Sequence, residues 1–406
     1  MGKKLWNKDY ILLLQGSTVS LIGDLMYSVA IGYWVYEQTG SSGLMGIMSS
    51  ISLFVTMFLS PFCGSIVDKC NRKWVIVGID TLQGTLMLTA GILAYRNALS
   101  VPVVLLVALV AAFGNVFYSP AISTLMLDII PRDDMVRGQS IYSGVHSLIN
   151  MVGTAFSGVM VAFFGVPLIV VINGLSNLYC AVTELFVHVP RTVQQGQQVT
   201  LKGILRDSGE AVKTIFSNRF LKLFVPSALI INLLGAGPIA MALPFCLEKG
   251  FGVDAYGYVS FVYTGGYLLS VLLLGALKMK PNVRFWVMAL GFSGAIPALV
   301  AAYLSSEFLP VCGLVFLGSF LNSAGNTVFN AALMLALPEE NRSAILGFIE
   351  SASIGGSALS TLLYGLLGDV FPLYLVFAVG TIISLIPMLY MCFHPKTKEF
   401  VLNNCG

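Results

Sequence analysis

The most reactive feature this sequence offers is a carboxylate inside a long apolar run. Asp24 lies within residues 10–36, a stretch almost free of charge. If the run is a helix, Asp24 sits about 21 Å along it from Tyr10. An ionised carboxylate at such a depth costs roughly 2.5–3.5 kcal/mol. It must therefore be protonated, paired or wetted. Ser17, Ser20, Tyr27 and Ser28 share its helical face. Such a group can carry a proton or hold a cationic ligand. A structural carboxylate bonded to serines is the alternative.

Other polar side chains recur inside apolar runs. Asn322, Asn326 and Asn330 follow at i+4 spacing, so all three amides face one way, and Asn115 and Tyr118 stand in an earlier run. They could bond a bound molecule, or one another across helices. Glu350 lies about 10 Å into its run and could titrate or meet a neighbouring loop. Asp80 reads as structural. Glu184 shares a face with Asn173 and Asn177, and His146 could titrate near neutrality. The seven cysteines (63, 70, 180, 246, 312, 392 and 405) form no C-x-x-C pair and read as small apolar side chains. No cofactor or metal cluster is expected. The phosphate-binding pattern G-x-x-x-x-G-K-[ST] is missing from the sequence, as is any nucleophile triad.

The elements that position these residues follow from composition. Of 406 residues, 57% are hydrophobic and 10% charged. A soluble domain carries about 25% charged residues, so this chain has too few to coat a water-facing surface. Apolar runs occupy residues 10–36, 43–67, 74–94, 101–127, 139–162 and 166–188. After a polar segment they resume at 223–247, 255–277, 285–304, 310–336, 344–367 and 373–393. Each is long enough to cross a hydrocarbon core of about 30 Å. In lipid such runs must be helical, because bare backbone polar groups are not tolerated. The first run is too long for a signal-peptide core.

Basic residues orient the spans. With the N-terminus inside, only Arg96 and Lys249 of the 22 lysines and arginines fall outside. Both termini are then cytoplasmic and the span count is even.

The two sets of six runs resemble each other. Leu21-Ile22-Gly23 matches Leu233-Leu234-Gly235, Gly64 matches Gly275, and Ile130-Pro131 matches Leu337-Pro338, all offset by about 210 residues. The expected fold is an all-α membrane protein of twelve transmembrane helices in two pseudo-symmetric six-helix bundles. The bundles are residues 1–188 and 223–406, with a short cytoplasmic tail. The linker, 189–222, forms either an amphipathic helix on the membrane face or a solvated loop.

Between the second and third runs the chain reads Gly64-Ser65-Ile66-Val67-Asp68-Lys69-Cys70-Asn71-Arg72-Lys73. This resembles the signature loop of the major facilitator superfamily, G-x-x-x-D-[RK]-x-G-[RK]-[RK]. Only the second glycine departs, to Asn71, which tolerates the left-handed backbone. The basic residues alone could follow from the positive-inside rule; Gly64 and Asp68 at that spacing do not. Arg72 needs an acceptor, and Asp128 is a candidate. The resemblance implies that Gly64, Asp68, Lys69, Arg72, Lys73 and Asp128 form a gating loop on the cytoplasmic side. It extends along the chain: Thr39-Gly40-Ser41 and Tyr118-Ser119-Pro120-Ala121 look like the drug:proton antiporter group containing macrolide-efflux and enterobactin-exporter proteins. Two places depart. Ala111 stands where many exporters carry an arginine. The antiporter pattern G-P-x-x-G-G is reduced to Gly153-Thr154-Ala155-Phe156-Ser157-Gly158.

The resemblance implies a secondary transporter working by alternating access in a bacterial cytoplasmic membrane. It would export a small amphipathic compound, macrolide- or drug-like, coupled to proton entry. Spans one, four, seven and ten would line the cavity, with Ser20, Tyr27, Ser28, Asn115, Tyr118, Asn322, Asn326 and Asn330 toward substrate and Asp24 or Glu350 coupling protons. The expected partners are the substrate, protons and lipid, with no nucleic acid, and the chain is expected to work as a monomer. Ala111 leaves a uniporter or lipid flippase open, and a non-transporting receptor or scaffold is the reading from another class.

Overall fold

A computed structural model describes residues 5–131, 134–188, 213, 216–217, 221–276, 281–336 and 342–395. Every long element among them is an α-helix. In chain order they are α1 (Lys8–Thr39), α2 (Ser42–Lys69), α3 (Arg72–Tyr95), α4 (Val101–Ile129), α5 (Met135–Phe164) and α6 (Val166–Leu185). There follow α7 (Leu221–Ala240), α8 (Ala242–Glu248), α9 (Val253–Ala276), α10 (Pro281–Leu304), α11 (Phe308–Ala336), α12 (Arg342–Gly368) and α13 (Leu373–Phe393). Among the described residues nine helices are long and apolar enough to cross a membrane, and up to eleven spans result when each of two bent pairs counts as one. α12 coincides with the remaining expected span.

The seventh span differs from expectation. It breaks into α7 and α8, bent by 51°. The cause is local. Pro238 has no N–H to give the carbonyl of Leu234, four residues back. That freed carbonyl accepts instead from Tyr364 Oη at 2.7 Å. The other 51° bend divides Arg137–Thr154 from Phe156–Phe164, inside the reduced antiporter pattern. Of the linker 189–222, Leu221 and Lys222 open α7, and before them Lys213, Phe216 and Ser217 are described. Those three are helical and exposed.

The chain divides into two compact units. One holds Met1–Gly40 and Ile51–Thr200, the other Ser41–Ser50 and Leu201–Gly406. The first turns of α2 thus belong to the second unit. There Gly46 packs on Gly365, where an added Cβ would stand 3.1 Å from the Gly365 Cα. Asp369 caps the same helix end, accepting from Ser41 Oγ at 2.7 Å, Ser42 Oγ at 3.1 Å and Gly43 N at 3.0 Å.

Within the first unit α6 packs on α3 and α1, α1 packs on α5, and α3 packs on α4. The second unit repeats these pairs at the corresponding helices: α13 on α10 and α7, α7 on α12, and α10 on α11. Small residues set the closest approaches, as membrane helices require. A Cβ on Gly84 would meet Gly174 O at 2.9 Å, and one on Gly91 would meet Val171 N at 3.0 Å. In the second unit, at the α10–α11 crossing that corresponds to α3–α4, a Cβ on Gly291 would meet Leu321 O at 2.7 Å.

Candidate functional site

The polar interior of the first unit is built around one face of α6. Asn173, Asn177, Cys180 and Glu184 follow at spacings of four, three and four, so they form a stripe. All four are buried, none more than 1% exposed. α1 and α3 run antiparallel to α6 on either side. Gly16 lies against Cys180 and Thr183, and Gly23 against Ser176 and Asn173. These glycines let α1 approach closely enough for its polar face to reach the stripe.

Asp24 is held there. Asn177 Nδ2 donates to Asp24 Oδ1 at 3.4 Å, and also to Asn173 Oδ1 at 2.9 Å. Ser20 Oγ donates to Asn177 Oδ1 at 3.3 Å. Asn173 Nδ2 lies 2.9 Å from Met87 Sδ on α3. Asp24 is half-buried and Tyr27 buried beside it, whereas Ser28 is exposed and bonds only to the Leu25 carbonyl of its own helix at 2.9 Å.

Two turns along α6 lies a second acidic group. Tyr118 Oη, from α4, donates to Glu184 Oε1 at 3.1 Å. Cys180 Sγ lies 3.7 Å from the same oxygen. Asp80 enters from α3, and ligand atoms of Asp80, Cys180 and Glu184 lie within 4.8 Å of one another. Across α1, Ser17 Oγ is 3.2 Å from His146 Nε2, and the imidazole stacks on Tyr142 with centroids 4.1 Å apart. Asp80 and Glu184 thus meet at one α6 face, two turns from the Asn177 that holds Asp24, while His146 bonds to α1. That α6 face is visible in the sequence for Asn173, Asn177 and Glu184. The antiparallel register that brings Asp80 to it is not.

The remaining sequence-derived residues fall as follows. Gln83 Nε2 donates to Asn115 Oδ1 at 3.2 Å and to the Ala111 carbonyl at 3.1 Å. A neutral amide thus contacts the backbone where an arginine is common in exporters. Arg72 Nη1 and Asp128 Oδ2 form an ion pair at 2.6 Å, and Lys73 Nζ donates to the Leu185 carbonyl at 2.7 Å. In the second unit Asn326 donates to the Asn322 side chain and, at 3.0 Å, to the Asn322 carbonyl. Glu350 is exposed on α12. The side chains of Gly64, Asp68, Lys69 and Asn330 lie outside the described residues.

A family model described as "Major Facilitator Superfamily" matches residues 13–242 and 227–401. The chain belongs to the major facilitator superfamily. It is a multi-pass membrane transporter with that superfamily's all-α fold of two related six-helix bundles. Transporters of this superfamily take small-molecule substrates.

Curated relatives include proteins named as drug exporters. The multidrug efflux pump Tap of Mycobacterium tuberculosis is 23% identical over 381 residues, 90% of this chain and 88% of that protein. Macrolide efflux protein A of Streptococcus pyogenes is 21% identical over 214 residues, 53% of each chain. The chain thus spans about half the length of that relative. Among solved structures, a bacterial homologue of the human lysosomal transporter Spinster, inward-facing and unoccupied, matches with a TM-score of 0.68. It is 16% identical and covers 97% of this chain and 95% of that one. The nucleoside transporter NupG matches with a TM-score of 0.71 and 13% identity, covering 94% of this chain and 98% of that one. At such identities the structures show the fold alone.

Proposed function

We propose that this transporter exports a small amphipathic, macrolide- or drug-like compound by alternating access, coupled to proton entry through Asp24. The observation that carries the reading is Asp24 itself. It is a carboxylate at mid-span that meets the neutral amide of Asn177 rather than a cation. A carboxylate so placed is cheaper protonated than ionised, so it can exchange a proton with each cycle. The exporter relatives supply the direction and the substrate class. The polar side chains on α1, α4 and α11 supply neutral hydrogen bonding for the cargo. Both termini lie in the cytoplasm on the charge bias of the loops.

The energetics suffice. A proton crossing 100 mV releases about 2.3 kcal/mol, enough for roughly 50-fold accumulation. The test is flux in proteoliposomes under an imposed pH gradient, over macrolides, dyes and lipophilic cations. Asp24→Asn should abolish gradient-driven accumulation and leave downhill movement of the same compound. Full coupling in that variant sinks the assignment.

A second reading, a uniporter or lipid flippase, is favoured by Ala111 and its neutral contact with Gln83. It predicts that wild-type flux is indifferent to the pH gradient.

A further inference from the structure

The structure assigns a second proton-binding site to the first unit: the carboxyl groups of Asp80 and Glu184 share a proton. The site is separate from Asp24, and it rests on the packing of α3 against α6 rather than on the coupling assigned to Asp24.

Both side chains are buried, Asp80 at 3% exposure and Glu184 at 0%. Their ligand atoms lie within 4.8 Å of each other. Each has one oxygen with no hydrogen-bond partner, Asp80 Oδ2 and Glu184 Oε2. Unpaired buried acceptors are costly, and two adjacent ionised carboxylates out of water are costlier still. A single proton relieves both penalties. It turns one of the orphaned oxygens into a hydroxyl donor and halves the charge of the pair. This is the arrangement expected of two carboxyl groups confined to one site.

The surroundings favour a proton over a larger cation. Glu184 is met by Tyr118 of α4 and Cys180 of α6, and on α5 the imidazole of His146 stacks on Tyr142 and bonds to Ser17. No lysine or arginine bonds to the pair among the described residues. Arg72, the basic residue two turns earlier on α3, is engaged by Asp128. A metal ion would have to displace the hydroxyl hydrogen that Tyr118 gives Glu184, and it would find a donor set without imidazole.

Infrared difference spectroscopy of the purified full chain in lipid nanodiscs tests the site, reading the carbonyl stretch of protonated buried carboxyl groups as pH is varied. Wild type should show at neutral pH a band from this pair, beside that of Asp24. Asp80→Asn and Glu184→Gln are nearly isosteric, and each should shift or remove the band, because the proton is shared. The double variant should lose it, while Asp24→Asn should retain it. An unchanged band in all three pair variants, or no band in wild type, overturns the proposal. So does a stoichiometric bound metal ion, by elemental analysis, that the double variant lacks. The spectrum of Asp24→Asn, which lacks the other carboxyl, decides even if a pair variant fails to fold: no band there overturns the proposal. Failure of the flux test at Asp24 leaves this readout standing, so the two assignments fail separately.

Discussion

The two units use the same helix pairings and fill them with opposite chemistry. In the first, the helices flanking α6 bring Asp24 and Asp80 to its face of Asn173, Asn177 and Glu184. In the second, α8 (the outer part of the broken seventh span), α10 and α12 close on α13 around rings. Phe377 stacks on Phe245 with centroids 5.4 Å apart, and Tyr303 and Tyr364 lie 5.2 Å and 5.9 Å from Phe377. Glycine crossings set the pairing in both, so the interior was free to diverge. The lesson is that a duplicated scaffold can keep one half as a packed body and give the other the ionisable groups.

The largest effect that would break this contrast comes from emptying the aromatic side. Phe377 is 1% exposed. Lipid is as apolar as a benzyl group, so its loss costs packing rather than hydrophobic transfer. Phe377→Ala should destabilise the second unit by about 2–4 kcal/mol, through the cavity and lost dispersion contacts. Thermal unfolding in detergent would read this as a lower midpoint, with the infrared signature of the first unit unchanged. A changed carboxyl band would mean that the two interiors are not separable.

Next in size is the ion pair of the first unit. Arg72 is 8% exposed. Arg72→Gln takes this cation from Asp128, which is partly open to solvent, and should cost about 2 kcal/mol, less than for a fully buried charge. Arg72→Gln/Asp128→Asn should be less destabilised than the sum of its parts, because the two residues are coupled. Additive losses in a double-mutant cycle would show that the pair contributes nothing to stability. Near-full transport by the single variant would count against a gating role for this loop.

How much of this could be read in advance differs between the units for a physical reason. Span positions came from run length, because lipid demands about 20 apolar residues per crossing. All expected spans overlap helices within a few residues. The break at Met241 was missed, although Pro238 stood in the sequence, because a proline inside a membrane helix can be accommodated without a break. The site was half visible. Periodicity places Asn173, Asn177 and Glu184 on one face but does not say which helix covers it. Asp80 therefore read as an isolated structural acid, and its approach to Glu184 depends on a register set by Gly84 and Gly174. Arg72 and Asp128 are legible as a candidate pair, opposite charges at two helix ends. The aromatic cluster carried no signal, since rings scattered over four apolar runs look like any membrane core.

The smallest test concerns where the boundary between the units runs along α2. Residues 41–50 belong to the second unit, and Asp369 is the polar group that holds them there. Its carboxylate takes three donors at the start of α2, acting as a cap supplied by a distant loop. Orphan N–H groups at a helix start favour an acceptor and a negative charge, so Asp369→Ala should cost about 1–2 kcal/mol. Asp369→Asn keeps an acceptor and should cost less. The loss should be local, because the Gly46–Gly365 crossing remains. Hydrogen exchange at the Gly43 and Leu44 amides should speed up in Asp369→Ala, while the amides of α6 stay protected. If Gly43 and Leu44 exchange as in wild type, the glycine crossing alone ties the start of α2 to the second unit, and the carboxylate serves another purpose.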